Sequence, residues 1–324
     1  MFVINIENKG FRATWGARSA APYLAQTMRR KGVLLTQYFG TAHHSLPNYL
    51  AQISGQAPSH STQLDCKDYT EFVSTAPTVS PGQEVGDGCV YPRSVETLAG
   101  QLSDAGLGWR GYMEDMARPC QHTTLGATDP WRFAKANDQY ATKHNPFVYF
   151  RSITSRPKYC ASHVVPLTKL GRDLQHVRTT RALTYITPDL CHDGHDATCA
   201  GGGPGGLKGV NAFLKAWAPK ILQSPAFRAD GMLVITADEA GGSSTACCGE
   251  VSGPNVGQAG IHGPGGGRIG ALVLSPFTAP RTRTSVAYNH YSLLATIEDL
   301  FGLPRLGYAS TSPHSFGADV FNAP

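Results

Sequence analysis

Short apolar, β-branched stretches at Phe2 to Ile6, Gly32 to Thr36, Leu183 to Ile186, Met232 to Thr236 and Ala271 to Leu274 each break off into polar residues. The intervals between them are long enough to hold helices. That alternation predicts an α/β fold with a central, mostly parallel sheet sandwiched by helices. Helical apolar spacing runs over Ala21 to Arg30 and again over Tyr291 to Leu303. In the second segment Tyr291, Leu294, Ile297 and Phe301 form the predicted buried face, with Gly302 as the stop. Residues 60–130, rich in Ser, Thr, Pro, Gly and Asp, read as a loop-rich insertion. Residues 192–209 read as a flexible rim: the run Gly201-Gly202-Gly203-Pro204-Gly205-Gly206 lacks the Gly-Lys-Ser/Thr ending of a phosphate loop. No repeat or boundary divides the chain, so 1–324 is taken as a single domain carrying that insertion.

Composition narrows the class. With 324 residues the chain can bury a sizeable core, and 41% hydrophobic content argues against disorder. The 36 glycines and 22 prolines, beside only 16% charged residues, indicate many turns and long loops. A net charge of +5 without blocks of like charge gives no nucleic-acid arm, and no apolar run reaches the ~18 residues of a spanning helix. The eight cysteines contain no C-x-x-C pair, which argues against a zinc ribbon and for disulfides formed in an oxidising compartment. Cys191 with Cys199 would close a short loop and Cys120 with Cys160 a longer one, whereas the neighbours Cys247 and Cys248 are expected to pair elsewhere. The N-terminal residues have neither a positive leader nor a cleavage site, so the chain is read as the mature form of a secreted or periplasmic protein.

Ligands of open α/β sheets gather beyond the carboxyl ends of the strands. There the chain places Glu7 and Asn8 after the first strand, Asp189 after the third, and Asp238 with Glu239 after the fourth. Any one of these fits a turn or a helix cap; together they point to metal or phosphate chemistry. After the second strand comes Gly40-Thr41-Ala42-His43-His44-Ser45-Leu46-Pro47-Asn48. There Ser45 enters a helix N-terminus, whose amides and dipole favour a phosphoryl group. Taken alone, Ser45 reads as an N-cap before it reads as a nucleophile.

The segments ENKGF, HHSLPNYLAQISGQ, ITPDLCHDGHD, VITADEAGG, GGRIGALVLSPF and YNHYSLLATIEDLFGLPRLG, in this order, resemble the bacterial phosphoesterase family. That family contains secreted acid phosphatases and non-haemolytic phospholipases C, and its fold is alkaline phosphatase-like. The similarity covers almost the whole chain. It implies Ser45 as nucleophile, Asn48 as a contact to the phosphoryl oxygens, and Glu7, Asn8, Asp238 and Glu239, with Ser45, around a divalent metal. The chain departs from the family at His44, where proline is usual, and at Asp189 and His192, where asparagine is common.

The chemistry agrees with the resemblance. A serine hydroxyl is a poor nucleophile until a base or a metal activates it. Hard oxygen ligands suit Ca²⁺, Mg²⁺ or Mn²⁺, and added histidine admits Zn²⁺. For protonating the leaving group the candidates are His195 and His262, since imidazolium donates near pH 6. His43 and His144 are candidates for substrate contacts, and Asp193 and His290 are further ligand candidates. The resulting expectation is a metal-dependent phosphomonoesterase working through a phosphoserine, on phosphate esters that include phospholipid or phosphoinositide head groups. A phosphodiesterase or phospholipase C is the alternative, and a non-catalytic phosphate- or phospholipid-binding protein a lesser one.

Overall fold

The computed structural model of the chain describes residues 1–311 and 314–321. Its strands are β1 (Phe2–Ile6), β2 (Val33–Phe39), β3 (Val73–Val79), β4 (Gln83–Asp87), β5 (Trp109–Met113), β6 (Val164–Pro166), β7 (Leu183–Thr187), β8 (Thr198–Cys199), β9 (Gly203–Pro204), β10 (Leu233–Ala237), β11 (Ala271–Leu274) and β12 (Thr282–Asn289). Eight of them form one sheet in the order β12-β2-β11-β10-β1-β7-β5-β6. Every neighbouring pair is parallel except those of β11, which runs antiparallel to β10 and β2. Continuous apolar runs such as FVINI and LVITA belong at the sheet centre because both faces are covered, and β1, β7, β10 and β11 are buried along their whole length.

Three sheet strands escape the sequence reading, each for a local reason. β12 is an edge strand in which Thr282, Arg283, Ser285 and Val286 are exposed. β6 is three residues long. β5 contains Gly111, where a Cβ would come within 2.7 Å of the Phe147 ring, so the residue that weakens the pattern is the one the packing needs. The stretch 60–130 holds this β5, the antiparallel β3–β4 hairpin and the helix Leu98–Asp104 beside its loops.

Helix Ser45–Ser54 packs against helix His290–Phe301, and helix Gly206–Gln223 against Tyr23–Met28. Along the second of these, every residue from His290 to Glu298 is buried, a wider face than the predicted stripe, and the helix ends at Gly302 with φ of 65°. The segment Ala21 to Arg30 is wound differently from an α-helix: Tyr23–Met28 forms a π-helical turn and Arg29–Lys31 a 3-10 turn.

Disulfides join Cys66–Cys89, Cys120–Cys160, Cys191–Cys199 and Cys247–Cys248. The last corrects the expectation that Cys247 and Cys248 pair elsewhere. The other six cysteines are consumed by one another, which leaves these neighbours only each other.

Candidate active site

The loops leaving β1, β7 and β10 are laced together at their first residues. The Glu7 amide donates to Asp193 O at 2.7 Å, the Asp238 amide to Ile6 O at 2.9 Å, and the Asn8 amide to Asp238 Oδ1 at 2.9 Å. Asn8 accepts a φ of 52° to do so. Gly40, at the end of β2, passes so close to this knot that a Cβ would lie 2.7 Å from Asp238 O. Carboxylates far apart in sequence thereby converge.

Ser45 opens its helix with its hydroxyl donating to Glu7 Oε2 at 2.9 Å, and it is buried. Tyr49, one helical turn on and so on the same face, donates to Glu7 Oε1. Beyond Glu7 lies His144, stacked on the Tyr49 ring, with Nε2 3.3 Å from Glu7 Oε2 and Nδ1 3.1 Å from Asp193 Oδ2. Glu7, Asp193 and Asp238 are all 0% exposed.

Burial, then the Asp238 and Asp193 charges, push the Glu7 carboxyl well above its ordinary pKa, and burial does the same to Asp193. Burial also drives the His144 imidazole well below its usual range, so it is neutral. A neutral ring between two carboxyl groups can donate from one nitrogen only. Both of its nitrogens, with Asp193 Oδ2 and Asp238 Oδ2, lack a hydrogen-bond partner although buried. One ligand atom each from Glu7, His144 and Asp193 lies within 4.8 Å of the others. Orphaned lone pairs and crowded negative charge are what a divalent cation satisfies, so these residues fit one.

Other residues singled out in the sequence sit around this centre in distinct ways. Glu239 pairs with His43 Nδ1, while His43 Nε2 donates to Ser243 O at 2.8 Å. Burial opposes the charged imidazole of His43, but the Glu239 contact outweighs it and raises the pKa; burial raises Glu239 to about 8. His290 donates from Nε2 to Asp238 O at 2.6 Å, and its Nδ1 faces Tyr38 Oη and Gln52 Nε2. Burial lowers it to about 4, so it is a neutral strut behind Asp238.

His195 lines the outer side, with Nδ1 2.7 Å from Asp196 Oδ1 and Nε2 3.5 Å from Lys143 Nζ. Asn48 turns its amide to the backbone of its own loop: Oδ1 accepts from the Thr41 and Ala42 amides, and Nδ2 donates to Ala42 O and His44 O. It shapes the segment before Ser45. His262 is exposed, and no described residue of the carboxylate cluster bonds its ring. Asp189 and His192 form an ion-paired group with Glu114, whose Oε2 lies 3.1 Å from His192 Nδ1. These contacts raise His192 to about 10.

Tyr49, Asp65 and Lys143 escaped the sequence reading. Tyr49 was legible as the i+4 neighbour of Ser45. Lys143 and Asp65 had no signal: a lysine beside a histidine and an aspartate in a polar loop meet only in three dimensions, with Nζ 3.0 Å from Oδ2.

The chain is 27% identical over 284 residues to a phosphate-repressible acid phosphatase of Penicillium chrysogenum, covering 86% of this chain and 54% of that one. It is 24% identical over 311 residues to a phosphatidylinositol-3-phosphatase of Mycobacterium tuberculosis, covering 96% and 80%. The chain thus spans just over half the length of the fungal relatives it matches. Its fold is shared with an alkaline phosphatase superfamily protein of Vibrio parahaemolyticus, at a TM-score of 0.55 and 14% identity over 98% of this chain and 71% of that one. Residues 13–304 match the phosphoesterase family, and the chain belongs to that family.

Proposed function

We propose that this chain hydrolyses phosphate monoesters through a phosphoserine formed on Ser45, with a divalent cation bound among Glu7, His144, Asp193 and Asp238. The observation that carries the reading is the 2.9 Å hydrogen bond from Ser45 Oγ to Glu7 inside a buried carboxylate cluster. Asn8 borders the same cluster through its amide to Asp238, and Glu239, next to Asp238 in the chain, pairs with His43. When bound, a divalent ion lowers the pKa of the attacking hydroxyl and offsets charge on the transferring group.

The protein's own part is positioning and proton management. Glu7 takes the Ser45 proton along the existing bond as Oγ attacks phosphorus in line, and Tyr49 holds the Glu7 carboxylate in place. The phosphorus–oxygen bond to the leaving alcohol breaks, and His195, on the outer side and oriented by Asp196, supplies that alcohol's proton. Water then attacks the phosphoserine and releases phosphate. Lys143, 3.5 Å from His195, and His43, beside Glu239, are the basic side chains bordering this site.

The name of the mycobacterial relative supports lipid-phosphate monoesters, including phosphoinositide head groups, within the substrate class. Four disulfides support residence in an oxidising compartment, and among the described residues no helix is long and apolar enough to cross a membrane. Ser45→Ala is expected to abolish turnover of a chromogenic monoester, and a chiral phosphate ester is expected to react with net retention at phosphorus. Wild-type turnover by Ser45→Ala, or inversion, would remove the covalent route. Relative rates on monoester and diester substrates separate a phosphatase from a phosphodiesterase.

A further inference from the structure

Away from the carboxylate cluster, three clefts of about 610, 440 and 720 Å³ share lining residues in turn, the first two reaching the β2–β12 edge of the sheet and the third the loops after β1 and β10. The first and second share Trp15, Arg29 and Arg283; the second and third share Phe11 and Arg268. The third ends at Asn8 and Ser243, the residues that bond Asp238 and His43 at the edge of the site. Of β2, Leu34 and Thr36 line the second cleft.

Its walls carry Arg12, Arg29, Arg30, Arg268, Arg281 and Arg283, and no Asp or Glu lines any of the three clefts. Among the described residues none of these guanidinium groups forms a salt bridge. Arg29 reaches Trp15 O and Arg268 reaches Thr36 O at 2.8 Å, while Arg268 also covers the Phe11 ring at 4.0 Å. Each guanidinium has five N–H donors, so most of the groove's donors face open space. Like charges set side by side without counter-charge repel; an extended anion converts that repulsion to attraction.

We propose that this groove binds a linear chain of phosphates, inorganic polyphosphate in chemical class, with one end at the Asn8–Ser243 rim. Its concavity and its run through three joined clefts suit a flexible chain better than a flat bilayer, and it offers a membrane no large exposed apolar side chain to insert: Trp15 is 3% and Leu34 1% exposed. It offers nucleobases no open aromatic platform, because Trp15 is buried and Phe11 lies under Arg268. That the bound end is presented to Ser45 rests on the proposed function; the binding itself does not.

The test uses full-length Ser45→Ala protein, so that turnover cannot consume the ligand, and measures binding of linear polyphosphate, pyrophosphate and orthophosphate by calorimetry. Polyphosphate is expected to bind far more tightly than pyrophosphate, and to lose about a hundredfold in affinity between about 50 and about 200 mM salt, as for roughly five neutralised phosphates. Arg30→Glu with Arg283→Glu should weaken binding more than tenfold and flatten the salt dependence, whereas Arg30→Lys with Arg283→Lys should retain most of the affinity. Polyphosphate bound no better than pyrophosphate, or indifferent to charge reversal, overturns the proposal. So does equal affinity for a single-stranded oligonucleotide or for phosphatidylserine-containing vesicles through the same arginines. Turnover of a monoester by the wild-type protein is scored separately: its absence with polyphosphate binding intact strikes only the proposed function, and the reverse strikes only the groove.

Discussion

Lys143 sets its ammonium 3.0 Å from Asp65 Oδ2, and the other oxygen of Asp65 accepts the Leu46 amide at 3.0 Å. A buried ion pair is thereby fastened to the first turn of the helix that Ser45 opens. Burial opposes ionisation of Asp65, but Lys143 and the Leu46 amide overcome it and hold the carboxyl below its usual range.

Lys143→Met should therefore cost stability as well as the positive charge beside His195. It strands a buried carboxylate, at a cost of about 3–5 kcal/mol, and loosens the turn carrying the hydroxyl. Urea unfolding checks the first effect. Lys143→Met with Asp65→Asn should recover most of the stability, and a double variant as unstable as the single one would contradict the ion-pair account.

Metal and stability should be linked. Without a cation, Glu7, Asp193 and Asp238 crowd together buried, so Asp193→Asn is expected to raise the melting temperature in the presence of a chelator. Adding divalent ion should raise the wild-type melting temperature and raise that of the variant less. Equal gains in both proteins would place the cation elsewhere. Melts in chelator and after readdition of Ca²⁺, Mg²⁺, Mn²⁺ or Zn²⁺ also rank the ions.

Glu298 predicts a pH effect remote from the site. Burial raises its carboxyl to about 8, while the Leu306 amide, donating to Oε1 at 2.9 Å, and Arg305 act the other way. The folded state then holds a proton that the unfolded chain releases near its ordinary pKa of 4.5. Between those two values the folded protein binds more protons, so stability falls as pH rises through the window, by at most about 1.4 kcal/mol per pH unit. Glu298→Gln should flatten this slope in denaturant titrations at pH 5 and pH 8; an unchanged slope would assign it to other groups.

The disulfides should rank by the loops they close. On chain entropy alone, Cys120–Cys160, 40 residues apart, contributes about 4 kcal/mol, and Cys191–Cys199, 8 apart, about 2.5 kcal/mol. Paired Cys→Ala replacements measured by urea unfolding check the order.

The legible parts of this protein are those where one stretch of chain decides its own surroundings. FVINI and LVITA read as central strands because being covered on both faces demands uninterrupted apolar residues, and the acidic residues that follow them were found for the same reason. TRTSVAYN was not found, because an edge strand half open to solvent tolerates Thr, Arg and Ser and leaves no pattern. Ser45 and Glu7 were legible through strand ends and resemblance, yet the direct bond between them was not, since it depends on how two loops cross. Asn48 shows the limit of motif reasoning: the motif marks the residue, but only the path of the Thr41–His44 segment shows its amide already engaged by backbone. The Arg29–Arg283 groove gave no sequence signal, since its cations come from separate short segments.

The strand that delivers Glu7 lies in the middle of the sheet, bonded on one side to β10 and on the other to β7. Both partners come from much later in the chain. β1 therefore pairs only with strands about 180 and 230 residues further along, which is the topology of a slow folder. Forming the middle of the sheet is then also what brings the Glu7, Asp193 and Asp238 carboxyl groups together.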